Sequence, residues 1–98
     1  MANFHFTNKA VKDLTDIWNY TYDTWSESQA DVYYQILMDA CNKIANKPDI
    51  GKSYENITSE LLGFKAGKHI IFYQVFSSNN IEITRILHER MDLKNRIR

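Results

Sequence analysis

The spacing of apolar residues changes partway along this 98-residue chain, and that change restricts the fold more than any other feature. Before Pro48 apolar side chains recur every three or four residues, the period of one helical face. After Ser59 they alternate or run on in short β-branched and aromatic stretches. Helices therefore come first and strands second, which suits an α+β domain with the helices on one face of a small antiparallel sheet.

Thr7 or Asn8 is placed to cap a first helix over residues 8–25, with Val11, Leu14, Trp18, Tyr22 and Trp25 along one stripe. Those stripe aromatics are expected in the core, so Trp18→Ala should cost about 3–5 kcal/mol. Ser26 with Gln29 three residues on is a capping-box pattern. Behind it Ala30, Tyr33, Leu37, Ala40, Cys41 and Ile44 give a second helix that runs to about Ala45. So short a link makes the pair an antiparallel αα-hairpin. Pro48 closes the second helix because it disfavours helical geometry at Lys47. Residues 49–59 read as a polar turn region with Gly51 at its tight point.

Three strands follow: 61–65, 69–76 and 81–88. They are joined by turns at Ala66-Gly67-Lys68 and Ser77-Ser78-Asn79-Asn80. In the middle strand both alternating sets are mostly apolar (Ile71, Tyr73, Val75 and Ile70, Phe72, Phe76), so it should be central and covered on both faces. The last strand separates Ile81, Ile83, Arg85 and Leu87 from Glu82, Thr84, Ile86 and His88. Arg85 on the apolar face either pairs with a buried acid of the hairpin, such as Asp13, Asp16 or Asp31, or reaches out at the sheet edge. Asn3 to Phe6 is a candidate edge strand, and residues 92–98 can add two helical turns. The expected order is β-α-α-β-β-β with a short helical tail, in one domain over residues 1–98.

Leu, Ile, Val and Phe make up 25 residues, enough for a core and too many for a disordered chain. No run has the length a membrane span needs, and MANFHFTNK lacks the features of a signal peptide, so a soluble cytoplasmic protein with no membrane association is expected. One cysteine and three scattered histidines have no zinc spacing; neither a metal nor a cofactor is expected. The net charge of zero conceals an asymmetry. Residues 1–62 hold five basic and nine acidic side chains, whereas residues 63–98 hold seven basic and three acidic. The second half is where an anionic partner would be met.

KAVKDLTDIWNYT, the Pro48-Asp49-Ile50-Gly51 turn, LLGFKAGKHIIFYQV and IEITRILHERMD together resemble the RelE/ParE toxins of bacterial toxin–antitoxin pairs. Residues 62–92 carry the specific part, and the Ile-Leu-His-Glu-Arg-Met-Asp ending is similar to the ParE branch. The resemblance implies a toxin that inhibits DNA gyrase without being an enzyme, and a cognate ParD-like antitoxin whose C-terminal segment wraps around it. Lys65, Lys68, Arg90, Lys94 and Arg96 are the expected target and antitoxin contacts. RelE-like members instead cleave messenger RNA on the ribosome, with basic side chains on the phosphate and a tyrosine near the C-terminus. For that alternative Lys65, Arg85, His88 and Arg90 are the candidate catalytic residues, and His69 could serve with His88 in acid–base steps. No tyrosine follows Tyr73, which favours the gyrase reading.

Overall fold

The computed structural model describes residues 3–77 and 80–91. Strand β1 (Asn3–Phe6) leads into α1 (Asn8–Thr24), capped by Thr7, whose side chain accepts from the Ala10 amide. Helix α2 (Glu27–Asn46) is capped by Ser26, whose side chain accepts from the Gln29 amide, and ends at Lys47 before Pro48. A single 3-10 turn, Pro48–Ile50, precedes a short strand β2 (Lys52–Ser53) inside the region expected to be turns alone. Strands β3 (Leu62–Ala66), β4 (His69–Ser77) and β5 (Asn80–His88) complete the regular structure of the described residues. The sheet order is β1-β5-β4-β3-β2. Strand β1 runs parallel to β5 while the other pairings are antiparallel, so the sheet is mixed. The candidate tail helix and the contacts expected of Lys94 and Arg96 lie outside the described residues.

The hairpin covers one face of the sheet. Ala10 and Leu14 of α1 and Leu37, Ala40, Cys41, Ile44 and Ala45 of α2 bury themselves with Ile71, Tyr73, Ile81, Ile83 and Ile86. On the other face Leu61, Ile70, Phe72 and Leu87 form a second cluster, covered by Tyr54 and Ile57. Tyr54 meets the Phe72 ring edge-on at 5.1 Å, so the polar-looking segment before β3 supplies the second cover. Strand β4 is thus central and sealed on both sides along 70–73, while Val75 and Phe76 emerge into solvent at its end.

Two expectations need correction. In the inward line of α1 Leu14 stands where the stripe predicts, while Ala10 and Ile17 take the places expected of Val11 and Trp18. Small Ala10 lets the helix approach the sheet closely, and the aromatic line becomes an outer shoulder. Val11 is 49% exposed, Tyr22 47% and Trp25 73%, while Trp18 is half-buried and stacks on Tyr22. The second correction concerns β5. Phe72 pairs with Arg85 but Tyr73 pairs with Ile83, so Thr84 is an extra residue in the strand. Its hydroxyl donates to the Phe72 carbonyl, and its carbonyl accepts from the Thr7 hydroxyl at 2.8 Å. Beyond this bulge the alternation reverses: Ile86 joins the hairpin side and Leu87 turns to the opposite face.

Candidate functional site

The β3–β4 turn, the start of β4 and the end of β5 meet at one end of the sheet, because Ala66 pairs with His69 and His69 pairs with His88. Gly67 takes φ +60° there, a left-handed turn conformation, and its neighbour Lys68 fixes the next strand end by accepting from the Glu89 amide. Lys65, Lys68, His69, His88 and Arg90 therefore belong to one end of the sheet, with Lys65 on the face away from the hairpin and the two histidines on the hairpin face. Arg85 is not among them. It lies on the hairpin side of the bulge, where Nε donates to Asp13 Oδ2 and Nη2 to Oδ1. Of the three acids considered, Asp13 is the partner. Asp16 pairs with Lys12 at 2.9 Å, and Asp31 accepts from the Trp18 indole at 3.3 Å.

Two side chains at this end escaped the sequence reading. Tyr33 reaches from α2 to the turn, where its Oη lies 2.6 Å from His69 Nδ1 and accepts from the Lys68 amide at 3.0 Å. Its place in a helical apolar stripe read as core, and only the turn's proximity reveals the polar use of its hydroxyl. Glu89 holds Lys65 Nζ at 3.1 Å.

Tyr33 Oη accepts from the Lys68 amide and shares a hydrogen bond with His69 Nδ1 whose direction follows the imidazole tautomer. His88 Nδ1 accepts from the Arg90 amide at 3.1 Å. With Nδ1 accepting from a backbone amide, the His88 ring proton sits on Nε2. Burial, with His88 beside it, pushes His69 down to about 4, so it is neutral at physiological pH. Burial raises the Tyr33 phenol above its ordinary value. The hydrogen bond from Lys65 holds the Glu89 carboxyl below the usual range. Two imidazoles, three cations and the Glu89 carboxylate on Lys65 share this end of the sheet. Nδ1 of His69 is taken up by Tyr33 and that of His88 by the Arg90 amide, so neither is open to a substrate proton. Among the described residues no cluster of His, Cys, Asp and Glu could hold a metal ion, and no helix is long and apolar enough to cross a membrane.

A second surface lies across the hairpin. Phe6, Val11, Trp18 and Tyr34 line an open, mostly apolar groove with Asp31 at its side.

Residues 4–93 match the family model described as the ParE toxin of type II toxin–antitoxin system, parDE. The chain is 37% identical over 84 residues to a protein named Toxin ParE1 from Mycobacterium tuberculosis, covering 86% of each. It is 32% identical over 94 residues to Toxin ParE1 of Caulobacter vibrioides, covering 96% of each. In fold it is similar to a chain of the chromosomal ParDE TA system from P. aeruginosa, with a TM-score of 0.77 at 17% identity over 90% of this chain and 96% of that one. It is also similar to a chain of the toxin–antitoxin complex RelBE2 from M. tuberculosis, with a TM-score of 0.63 at 16% identity over 90% and 98%.

Proposed function

The chain belongs to the ParE toxin family of type II toxin–antitoxin systems, and from that premise we propose that it is a cytoplasmic toxin that inhibits DNA gyrase without being an enzyme and is neutralised by a cognate ParD-like antitoxin. Likeness to two proteins named Toxin ParE1 across most of both chains carries the reading. The chemistry of the basic end supports it. A nuclease needs positive charge aimed at the scissile phosphate and a base ready to take a proton. Here Arg85 is paired with Asp13, and Nδ1 of both candidate histidines is engaged, by Tyr33 and by the Arg90 amide. Lys65, Lys68 and Arg90 remain as the contact residues for target or antitoxin. The exposed groove beside Trp18 and Tyr34 suits the apolar part of an antitoxin segment that folds on binding.

Purified toxin is tested for inhibition of supercoiling by gyrase, with the antitoxin added back. The expected result is loss of supercoiling that the antitoxin reverses. Untouched gyrase at large molar excess, with ribosome-bound messages cut instead, would reject this reading in favour of an endoribonuclease. Tyr33 is the one observation on that side, because it supplies beside His69 a phenol that the C-terminal sequence lacks.

A further inference from the structure

The two edges of the sheet are built differently. At one edge β2 is two residues long and carries Lys52, a short and charged strand of the kind that discourages pairing with another chain. At the other edge β1 is four residues long, Asn3-Phe4-His5-Phe6, with neither lysine, proline nor bulge, and among the described residues no strand lies on its outer side. The Thr7 amide donates to the Ile83 carbonyl. In the parallel ladder residues 5 and 7 therefore turn their N–H and C=O groups to β5, and Phe4 and Phe6 turn theirs outward. The Phe4 and Phe6 rings pack on the hairpin side, edge to face at 5.5 Å, and Phe6 also lines the apolar groove with Val11, Trp18 and Tyr34. An open strand edge and an open groove thus adjoin at one residue.

We propose that β1 pairs with the β1 of a second copy of this chain, antiparallel about a two-fold axis through His5, so that the two sheets join into one. About that axis Phe4 stands opposite the second copy's Phe6, and Phe6 opposite its Phe4. Each pair exchanges both of its N–H···O bonds, so every outward polar group of the two phenylalanines gains a partner. An axis through Phe6 would instead set Phe4 against Asn8, which is already in α1. A second copy fits this edge because the match is self-complementary: aromatic meets aromatic at both positions, on a strand with no lysine, arginine or carboxylate to repel its own copy. On the opposite face His5 meets the second copy's His5, each with its own Glu82 at 3.3 Å. Four paired residues give too little area for a stable dimer, and the groove that adjoins them at Phe6 extends the contact over the exposed side chains of Val11 and Tyr34. The groove is the one read above as suited to an antitoxin segment, so a bound antitoxin and a second copy exclude each other there. The pairing itself needs neither antitoxin nor gyrase.

The test follows the oligomeric state of the full chain, without antitoxin, by sedimentation equilibrium across a dilution series. A monomer–dimer equilibrium is expected, and Val11→Glu should weaken it about tenfold or more, because it places a charge between the joined grooves. His5→Cys reports the register. Its Cα should lie about 4.5 Å from that of its copy, within the span of a disulfide, so mild oxidation should cross-link this variant into a dimer. Lys52→Cys, at the other edge, should stay uncross-linked. Cys41 is buried and does not compete, and His5 is exposed, so its replacement does not threaten the fold. Amide exchange at Phe4 and Phe6 should slow as the protein is concentrated, while that of Thr7, already bonded to Ile83, should not change. A chain that is monomeric at every concentration overturns the proposal. Cross-linking of His5→Cys no faster than that of Lys52→Cys overturns it as well. If the Phe4 and Phe6 amides slow only when antitoxin is added, the edge belongs to the antitoxin and the second copy is rejected. Inhibition of gyrase by a strict monomer would sink the pairing and leave the toxin reading standing. A dimer with the expected cross-link and no effect on gyrase would do the reverse.

Discussion

Arg85 and Asp13, 72 residues apart in the chain, meet at two points: Nε donates to Oδ2 at 2.8 Å and Nη2 to Oδ1 at 3.0 Å. The same Oδ2 accepts the Ile86 amide at 3.0 Å, so one carboxylate of α1 fastens the strand just past its bulge. Hydrogen bonding to Asp13 raises the guanidinium pKa further above its ordinary value. Asp13→Ala removes the carboxylate that a largely buried cation and the Ile86 amide share. It should cost about 2–4 kcal/mol, below the full figure for a deeply buried pair because both side chains keep some exposure. Urea denaturation measures this, and a loss under about 1 kcal/mol would mean that water replaces the carboxylate at little cost.

Phe72 and Trp18 should respond very differently to truncation. Phe72 is fully buried between β4 and its Tyr54 cover, so Phe72→Ala should cost about 3–5 kcal/mol. Trp18 stands on the outer shoulder of α1 with Tyr22, and Trp18→Ala should cost about 1 kcal/mol, near the usual single-substitution value. Comparable losses in the two variants would place Trp18 in the core after all.

The stability of the protein should fall as the pH is lowered from 6.5 to about 4. His69 is depressed in the folded state, so across that window the unfolded chain binds the extra proton and acid favours unfolding. The stabilisation is complete above 6.5 and is lost as the pH approaches about 4. The groups that face His69 are Tyr33 from α2, Asp13 from α1, His88 from β5 and Glu89 beyond it. In His69→Gln the melting temperature should vary less steeply over the same window; parallel curves for the two proteins would exclude His69 as the titrating group.

Gly67→Ala tests the turn and Tyr33 together. A Cβ at this position would lie 2.7 Å from Tyr33 Oη, on a backbone with φ +60°. The strain should cost about 1–3 kcal/mol and push the phenol away from His69. Thermal melting gives the first effect and the His69 ring resonances give the second. An unchanged His69 spectrum would show that Tyr33 can yield without releasing its partner.

Cys41 should be inert to thiol reagents in the folded protein, because it is fully buried and burial pushes its thiol up to about 12. Labelling should track global unfolding in urea. Rapid reaction in native buffer would reveal a local opening of α2.

The parts of the fold that were legible in the sequence are those where one force dominates. The caps at Thr7 and Ser26, the stop before Pro48 and the central place of β4 each follow from local geometry or from an unbroken apolar run. Arg85 was legible for a different reason: a charge among isoleucines needs an acid, and the hairpin offers few. The aromatic stripe of α1 misled because hydrophobicity marks a broad helical face, while the line of closest approach is chosen by small Ala10. The Thr84 bulge was invisible because a two-residue alternation has no mark for an inserted residue, and one insertion exchanges the faces of Ile86 and Leu87. At the candidate site the charges of Lys65, Lys68 and Arg90 were legible, but the use of Tyr33 depends on a turn 35 residues away.

The parallel pairing of β1 with β5 sets when this protein can become itself. Asn3 aligns with Asn80 and Phe6 with Ile83, and the Thr7 amide at the mouth of α1 donates to the Ile83 carbonyl. Strand β1 has no neighbour in the sheet until β5 is made. The hairpin can form during synthesis, but the sheet beneath it stays open at one side, with Ile81 and Ile83 missing from the core. Closing so long a loop is entropically costly and comes late. A chain stalled before β5 is therefore a pair of helices over an unfinished floor, and the mouth of α1 is tied to the sheet only once β5 has been made.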